Sequence, residues 1–294
     1  MNNLQRIASA LALTTVVASP AMAQTIDAGR GPVPLTVPMG YDTDVPIPLI
    51  VSLHGYSGSG EGHDRRWGIS ALADRYNFLT IAPDGTREAE GDRNPYWNAS
   101  SACCNFAGTD IDDSAYLRRI IDQIRASYNV DASRIYVIGH SNGGFMSYRM
   151  GYEHSDVVAA IVSLAGANHL EQREPPPNPV HVLQIHGTDD TTIAYRGGEI
   201  QGNRYPGAFA SVSRWAQYNG CDTSVASREM RDLDASLPGH ETGVMKINAG
   251  CRDGGSAELW TISDGAHSPV YSDTWGEQIV EWLLAHPKPA HLLD

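Results

Sequence analysis

Gly139-His140-Ser141-Asn142-Gly143 constrains what this 294-residue chain can fold into more than any other segment. Arg134-Ile135-Tyr136-Val137-Ile138, just before it, is a short apolar, β-branched run that predicts a buried strand. Gly144-Phe145-Met146-Ser147-Tyr148-Arg149-Met150, just after it, can open a helix. A G-x-S-x-G pentapeptide at a strand-to-helix turn holds its serine in a strained conformation, with the hydroxyl exposed above the sheet. A β-carbon at Gly139 or Gly143 would crowd that turn. The helix then aims its positive N-terminal end at a reacting carbonyl. Taken alone, the pentapeptide reads equally as a glycine-rich turn with an incidental serine. The strand before it and the helix after it weigh against that.

Strand signals recur along the chain with helical stretches between them, the pattern of a mostly parallel α/β sheet. Strands are predicted over Val33–Val37, Pro48–Leu53, Phe78–Ala82, Val157–Leu164, Val180–Ile185, Val244–Ile247 and Ala257–Ile262. Helices are predicted over Arg65–Tyr76, Ala208–Tyr218 and Thr274–Leu284. A further helix, capped by Asp112, runs to Tyr128 with Leu117, Ile120, Ile121 and Ile124 on its apolar face. Glu174-Pro175-Pro176-Pro177-Asn178-Pro179 lies between strands of one alternating series, so it reads as a rigid surface loop rather than a linker. There is no internal repeat.

A serine hydroxyl is a poor nucleophile until a histidine takes its proton and a carboxylate orients that histidine. The two partners are expected on loops after later strands, acid first and histidine last. His186-Gly187-Thr188-Asp189-Asp190 follows the Val180–Ile185 strand, in the place of the acid. Asp264-Gly265-Ala266-His267 follows the last strand, in the place of the base. His286 and His291 fall in the tail, and His154, His169 and His240 read as surface or loop residues. His140 and His186 read as elbow packing and loop hydrogen bonding. Asp189 and Asp190 diverge as neighbours, so only one of them can face His267. The oxyanion needs two backbone N–H donors: Asn142, directly after the serine, and Tyr56, in the loop Leu53-His54-Gly55-Tyr56.

The first residues read as an export signal, with Arg6, an apolar core over Ile7–Val17 and an Ala21-Met22-Ala23 cleavage site. The expected mature chain starts at Gln24, is soluble and exported to the periplasm or beyond, and forms one α/β domain over residues 24–294. No segment is long enough to span a bilayer. The formal net charge of −13 argues against nucleic acid and anionic lipid as partners, and a monomer is expected. Four cysteines in an exported chain are expected to be oxidised, with three pairings open to them. Cys221 and Cys251 flank one late segment and are natural partners. That leaves Cys103 and Cys104 to pair with each other or to stay free.

Read together, these segments resemble the secreted polyhydroxybutyrate-depolymerase-like and feruloyl-esterase-like branch of the α/β hydrolases. The matching pieces are Pro48–Gly55, Ala82-Pro83-Asp84-Gly85, Trp97-Asn98 before Cys103-Cys104, Asp112-Asp113, Arg134–Gly144, His186–Asp190, Trp215–Cys221 and Gly265-Ala266-His267. The resemblance implies an α/β-hydrolase fold: a mostly parallel central sheet, helices on both faces and no large lid. It implies a carboxylic-ester hydrolase with Ser141, Asp190 and His267 as its triad and no cofactor or metal. The family's H-G-T-x-D pattern places the acid at Asp190 rather than Asp189, and the family pairs Cys221 with Cys251. Two departures argue against a crystalline polymer as substrate. His267 is followed by Ser268-Pro269 where the family often has Trp-Pro, and no appended binding module fits after the last helix.

The expected esters are hydroxyalkanoate oligomers or hydroxycinnamoyl groups, with terephthalate-type polyesters and acetyl xylan as alternatives. Tyr56, Trp97 and the loop from Tyr195 to Tyr205 are expected to give the cleft an open aromatic surface. A catalytically silent binding protein would lack one triad member, and this chain has all three. A serine peptidase of this fold usually brings a propeller or lid, for which there is no room. Asp110, Asp112 and Asp113 read more simply as helix capping and solvated charge than as a metal site. Cys103 and Cys104 lack zinc-site spacing. Gly55–Gly60 is no dinucleotide fingerprint, because no helix pattern follows it at once.

Overall fold

A computed structural model describes residues 24–222 and 227–293, so the expected export signal lies outside the described residues. In chain order the first elements are β1 (Thr25–Ile26), β2 (Val33–Thr36), β3 (Ile47–Leu53), α1 (Gly60–Trp67), α2 (Ala73–Tyr76), β4 (Leu79–Ile81), β5 (Thr86–Arg87), β6 (Pro95–Tyr96) and α3 (Asp113–Ser127). The middle of the chain forms β7 (Val130–His140), α4 (Asn142–Glu153), β8 (Ala160–Leu164), β9 (His181–Gly187), β10 (Gly197–Ile200), β11 (Asn203–Pro206) and α5 (Ala208–Tyr218). The last elements are β12 (Ser227–Arg231), β13 (Thr242–Ile247), β14 (Ser256–Ile262) and α6 (Trp275–Leu284).

Ten strands form one sheet in the order β1-β2-β4-β3-β7-β8-β9-β14-β13-β12. From β4 to β14 neighbouring strands are parallel, and antiparallel pairs close both edges. The central strands are buried on both faces, which is why β3 and β8 are apolar at every position but Ser52 and Ser163. Alternation along them sorts the core into two layers. Leu49, Val51 and Leu53 of β3 pack with Leu117, Ile120 and Ile121 of α3 and with Phe145 and Met146 of α4. Ile50, with Tyr136 and Ile138 of β7, packs instead with Trp67 of α1 and with Ile279, Val280 and Leu283 of α6. Helices therefore cover both faces, as the parallel pattern implied.

The α5 helix has the predicted limits, and α3 is capped as expected, with Asp112 accepting from Ala115 N at 3.0 Å. Four readings need correction. The helix expected over Arg65–Tyr76 begins earlier and is broken. Ser59 Oγ caps α1 through Gly62 N at 3.1 Å, and Gly68, at φ 69°, ends it in the left-handed region that favours glycine. A helix thus does follow Gly55–Gly60 at once. It escaped the periodicity test because its sequence, Gly60–Trp67, is mostly polar and buries only Gly60, His63 and Trp67. The β8 strand starts three residues later than predicted, since Val157 and Val158 turn back to bond His154 O.

Asp113 is not a solvated charge. Its buried carboxylate accepts from Arg30 Nη1 at 2.6 Å, Thr86 Oγ1 at 2.8 Å and Asn98 N at 2.6 Å, which ties three loops to the start of α3.

Candidate active site

The turn from β7 into α4 carries Ser141 at φ 56°, a region costly for any residue with a side chain. Its N–H donates to Leu164 O of the neighbouring β8 at 2.7 Å, which holds the strained residue in place. The flanking glycines are required by contact. A β-carbon at Gly139 would lie 2.3 Å from Gly143 O, and one at Gly143 would lie 2.2 Å from Leu53 O. The sharp turn thus packs directly on the end of β3.

The parallel pairing of β9 with β14 sets Gly187 opposite Ile262, so the loops that follow leave the sheet side by side. They touch: a β-carbon at Gly187 would meet Gly265 O at 2.1 Å, and Asp189 N donates to Gly265 O at 3.0 Å. This contact brings Asp190 and His267 together across 77 residues of chain. His267 Nδ1 lies 2.7 Å from Asp190 Oδ2, and its Nε2 lies 2.9 Å from Ser141 Oγ. Asp189 is exposed and turned to solvent, while Asp190 is buried.

The carboxylate of Asp190 is fully engaged. Oδ1 accepts from Thr192 N and Ile193 N, each at 2.8 Å, and Oδ2 also lies 3.3 Å from His186 Nε2. Burial by itself would raise this carboxyl, but hydrogen bonds to His186 and His267 outweigh it and hold it well below the ordinary carboxylate range. His186 Nδ1 accepts from Gln184 Nε2 at 3.1 Å, so its ring proton sits on Nε2 and is shared with Ile193 O at 2.7 Å. His140 grips His267 from the other side. Its Nε2 lies 2.9 Å from His267 O, and the two rings stand 4.9 Å apart. Burial, then the neighbouring His267, push His140 down to about 4, so it stays neutral and places no charge against an imidazolium on His267.

The loop after β3 sits over the serine, since a β-carbon at Gly55 would lie 3.3 Å from Ser141 Cβ. Ser57 N donates to Pro95 O at 2.9 Å and Gly58 N to Gly55 O at 3.0 Å, which shapes the loop. As the first residue of α4, Asn142 has no carbonyl one turn back to take its N–H. Its buried side chain makes a second link, accepting from Trp97 N at 2.6 Å and donating to Trp97 O at 2.9 Å.

Trp97 was expected at the cleft surface. It is instead completely buried, and its Nε1 donates to His54 O at 2.9 Å. It therefore joins the Tyr56 loop to the Asn142 turn, and a ring so completely buried has no face left for a substrate.

Ser141 and His267 open into a cleft of 630 Å³ that is also lined by Tyr56, His63, Arg66 and Arg87. The Tyr56 hydroxyl donates to Glu88 Oε1 at 2.6 Å, and its ring meets Phe106 edge-on at 5.5 Å. Tyr195 is elsewhere. Its hydroxyl bonds Thr261 Oγ1 at 2.9 Å, and it lines a separate 440 Å³ groove with Phe209, Met230 and Met245. The rest of that loop folds as the β10–β11 hairpin, with Tyr205 buried against Phe145.

Cys221 is bonded to Cys251, and Cys103 to Cys104. The first bond joins the end of α5 to the β13–β14 connection, and the second lies beside the Asn142 side chain.

A family model described as phospholipase/carboxylesterase matches residues 43–240. The chain belongs to that family. Within it, feruloyl esterase B of Piromyces equi is 28% identical over 240 residues, 79% of this chain and 41% of that protein. Poly(3-hydroxyalkanoate) depolymerase C of Paucimonas lemoignei is 30% identical over 199 residues, 65% of this chain and 44% of that protein. The chain thus spans less than half the length of these two curated relatives. An acetyl xylan esterase from Aspergillus awamori superposes with a TM-score of 0.61 at 17% identity, covering 88% of this chain and 98% of that one. Together with the family match, this gives the α/β-hydrolase fold.

Sequence reasoning missed Arg66, Arg87 and His63 as cleft residues. They stand on a polar helix and a short hairpin, where neither periodicity nor a motif singles them out.

Proposed function

We propose that this chain hydrolyses carboxylic esters by a two-step acyl transfer on Ser141. The observation that carries the reading is His267 in line between Ser141 Oγ and Asp190 Oδ2, at 2.9 and 2.7 Å. Ser141 Oγ attacks the ester carbonyl carbon while His267 Nε2 takes its proton, with Asp190 fixing the tautomer. The N–H groups of Tyr56 and Asn142 receive the oxyanion, each worth about 3 kcal/mol of barrier. Collapse of the tetrahedral intermediate breaks the bond to the alcohol oxygen, and His267 returns the proton to that oxygen as it leaves. Water then attacks the acyl-enzyme, giving its proton to His267. The acid departs and the proton goes back to Ser141 Oγ.

The open cleft beside Tyr56 and Phe106 favours a bulky acyl group or a chain of ester units, of the hydroxyalkanoate or hydroxycinnamoyl kind. The names of the two curated relatives support both classes. The chain acts as a monomer, needs no cofactor or metal and is exported after losing residues 1–23. N-terminal sequencing of the exported protein should begin at Gln24.

Hydrolysis of methyl ferulate, hydroxybutyrate oligomers and a terephthalate ester, measured side by side, tests the reading. At least one should turn over, and Ser141→Ala should cut that rate by several orders of magnitude. Near-normal turnover by Ser141→Ala would sink the mechanism. Activity confined to short acetyl esters would sink the substrate class.

A further inference from the structure

The described residues that line the catalytic cleft have an unexpected charge balance. The chain as a whole carries 34 acidic against 21 basic residues. The cleft lining nonetheless contains no aspartate or glutamate, and its two charged side chains are Arg66 and Arg87. Its buried histidines add no charge to theirs. His54, His63 and His140 are all pushed down by burial and stay neutral, and Asp190 lies out of the lining behind His267.

Neither arginine is committed to a carboxylate. Arg65, the neighbour on α1, pairs with Glu61 at 3.1 Å, whereas Arg66 has no ion pair among the described residues. The Arg66 guanidinium lies over the Tyr271 ring, 5.7 Å from its centre, an aromatic support that leaves its N–H groups open. Arg87 has only a loose contact, 3.8 Å from Asp84, and both side chains there are about half exposed. A guanidinium fork of this kind matches the two oxygens of a carboxylate.

We propose that the cleft selects esters that also carry a free carboxylate, recognised by Arg66 and Arg87 in its lining. This rests on the ester-hydrolase reading and narrows it. Half-esters of dicarboxylic acids carry that charge on the acyl side, and oligomers of hydroxy acids carry it on the alcohol side. A neutral hydroxycinnamoyl ester carries it on neither.

The test compares kcat/KM within two matched pairs. The acyl pair is 4-nitrophenyl hydrogen adipate against 4-nitrophenyl hexanoate. The alcohol pair is the linear dimer of 3-hydroxybutyrate against its methyl ester, scored at the internal ester bond. The charged member of at least one pair should be favoured by about tenfold at low salt, the scale of an exposed charge-assisted contact. That ratio should fall toward one in 1 M salt, where screening acts within about 3 Å. Arg66→Gln and Arg87→Gln should each lower it and the double variant should abolish it, while Arg65→Gln leaves it in place. The pair that shows the preference tells which side of the ester faces the arginines. Equal rates within both pairs, or a preference that survives the double variant, would overturn the proposal and leave ester hydrolysis standing. Failure to cleave any of the four would remove both readings together.

Discussion

The floor and the arginine-bearing wall of the cleft are built from different material. The floor holds Ser141, His140 and His267, with Asp190 behind His267, on the end of β7 and the loops after β9 and β14, strands of one parallel block. Its polar groups are tied to one another: His267 to Ser141 and Asp190, His140 to the His267 carbonyl, and Asp190 to two backbone amides. The arginine-bearing wall comes from the loop after β3, the short α1 and the β5–β6 hairpin. Its arginines face solvent with little to hold them. Asp190 and His267 stand on loops that the β9–β14 pairing holds side by side, while Arg66 and Arg87 stand on the short α1 and the β5–β6 hairpin.

The largest effect should come from the floor. Asp190→Asn is expected to lower kcat by about 10³- to 10⁴-fold through the wrong histidine tautomer, whereas Asp189→Asn stays within about twofold. Steady-state kinetics on one good ester checks this, and a reversed order would move the acid by one residue.

Acid should cost the fold stability while leaving the guanidinium charges of Arg66 and Arg87 as they are. Burial pushes His140 and His169 down to about 4 and His181 to about 3, from 6.5. As pH falls from 6.5 toward 4 the unfolded chain binds protons that the folded one refuses, so stability is lost over that range. Each such proton costs about 1.4 kcal/mol per pH unit. Urea unfolding across pH 7 to 4 should show this decline, and a flat profile would contradict the neutral burial of these rings.

The Cys221–Cys251 bond braces the stem of the base loop and touches neither side of the cleft. Replacing both cysteines by serine should cost about 3 to 4 kcal/mol of stability, for a bond spanning 30 residues. It should leave the carboxylate preference unchanged. A thermal melt and the matched ester pairs measure the two quantities separately.

The smallest effect should be at the joint between wall and floor. Trp97→Phe keeps the buried ring but removes the bond to His54 O, so the Tyr56 amide loses a support. A fall in kcat of about fivefold with little change in KM is expected, on the scale of one hydrogen bond. An equal change in both constants would mean that the wall holds substrate and does not position the oxyanion.

The order of strands and helices, the elbow and the candidate triad were legible in the sequence, because each rests on local rules. A buried parallel strand must be apolar throughout, a sharp turn must carry glycine, and the acid and base follow strands in a set order. The choice between Asp189 and Asp190 needed the resemblance. In the structure it follows from the contact of Gly187 with Gly265, which turns one carboxylate inward and the other out. The aromatic residues were not legible. Trp97, Tyr56 and Tyr195 look alike in a sequence, yet one is a buried strut, one lines the cleft and one lines a separate groove. The unpaired state of Arg66 is equally invisible there, since it depends on which carboxylates the fold brings near. Sequence determines what a residue can do along its own strand or turn. Which neighbours it meets is decided only when the sheet sets its strands side by side and brings distant loops into contact.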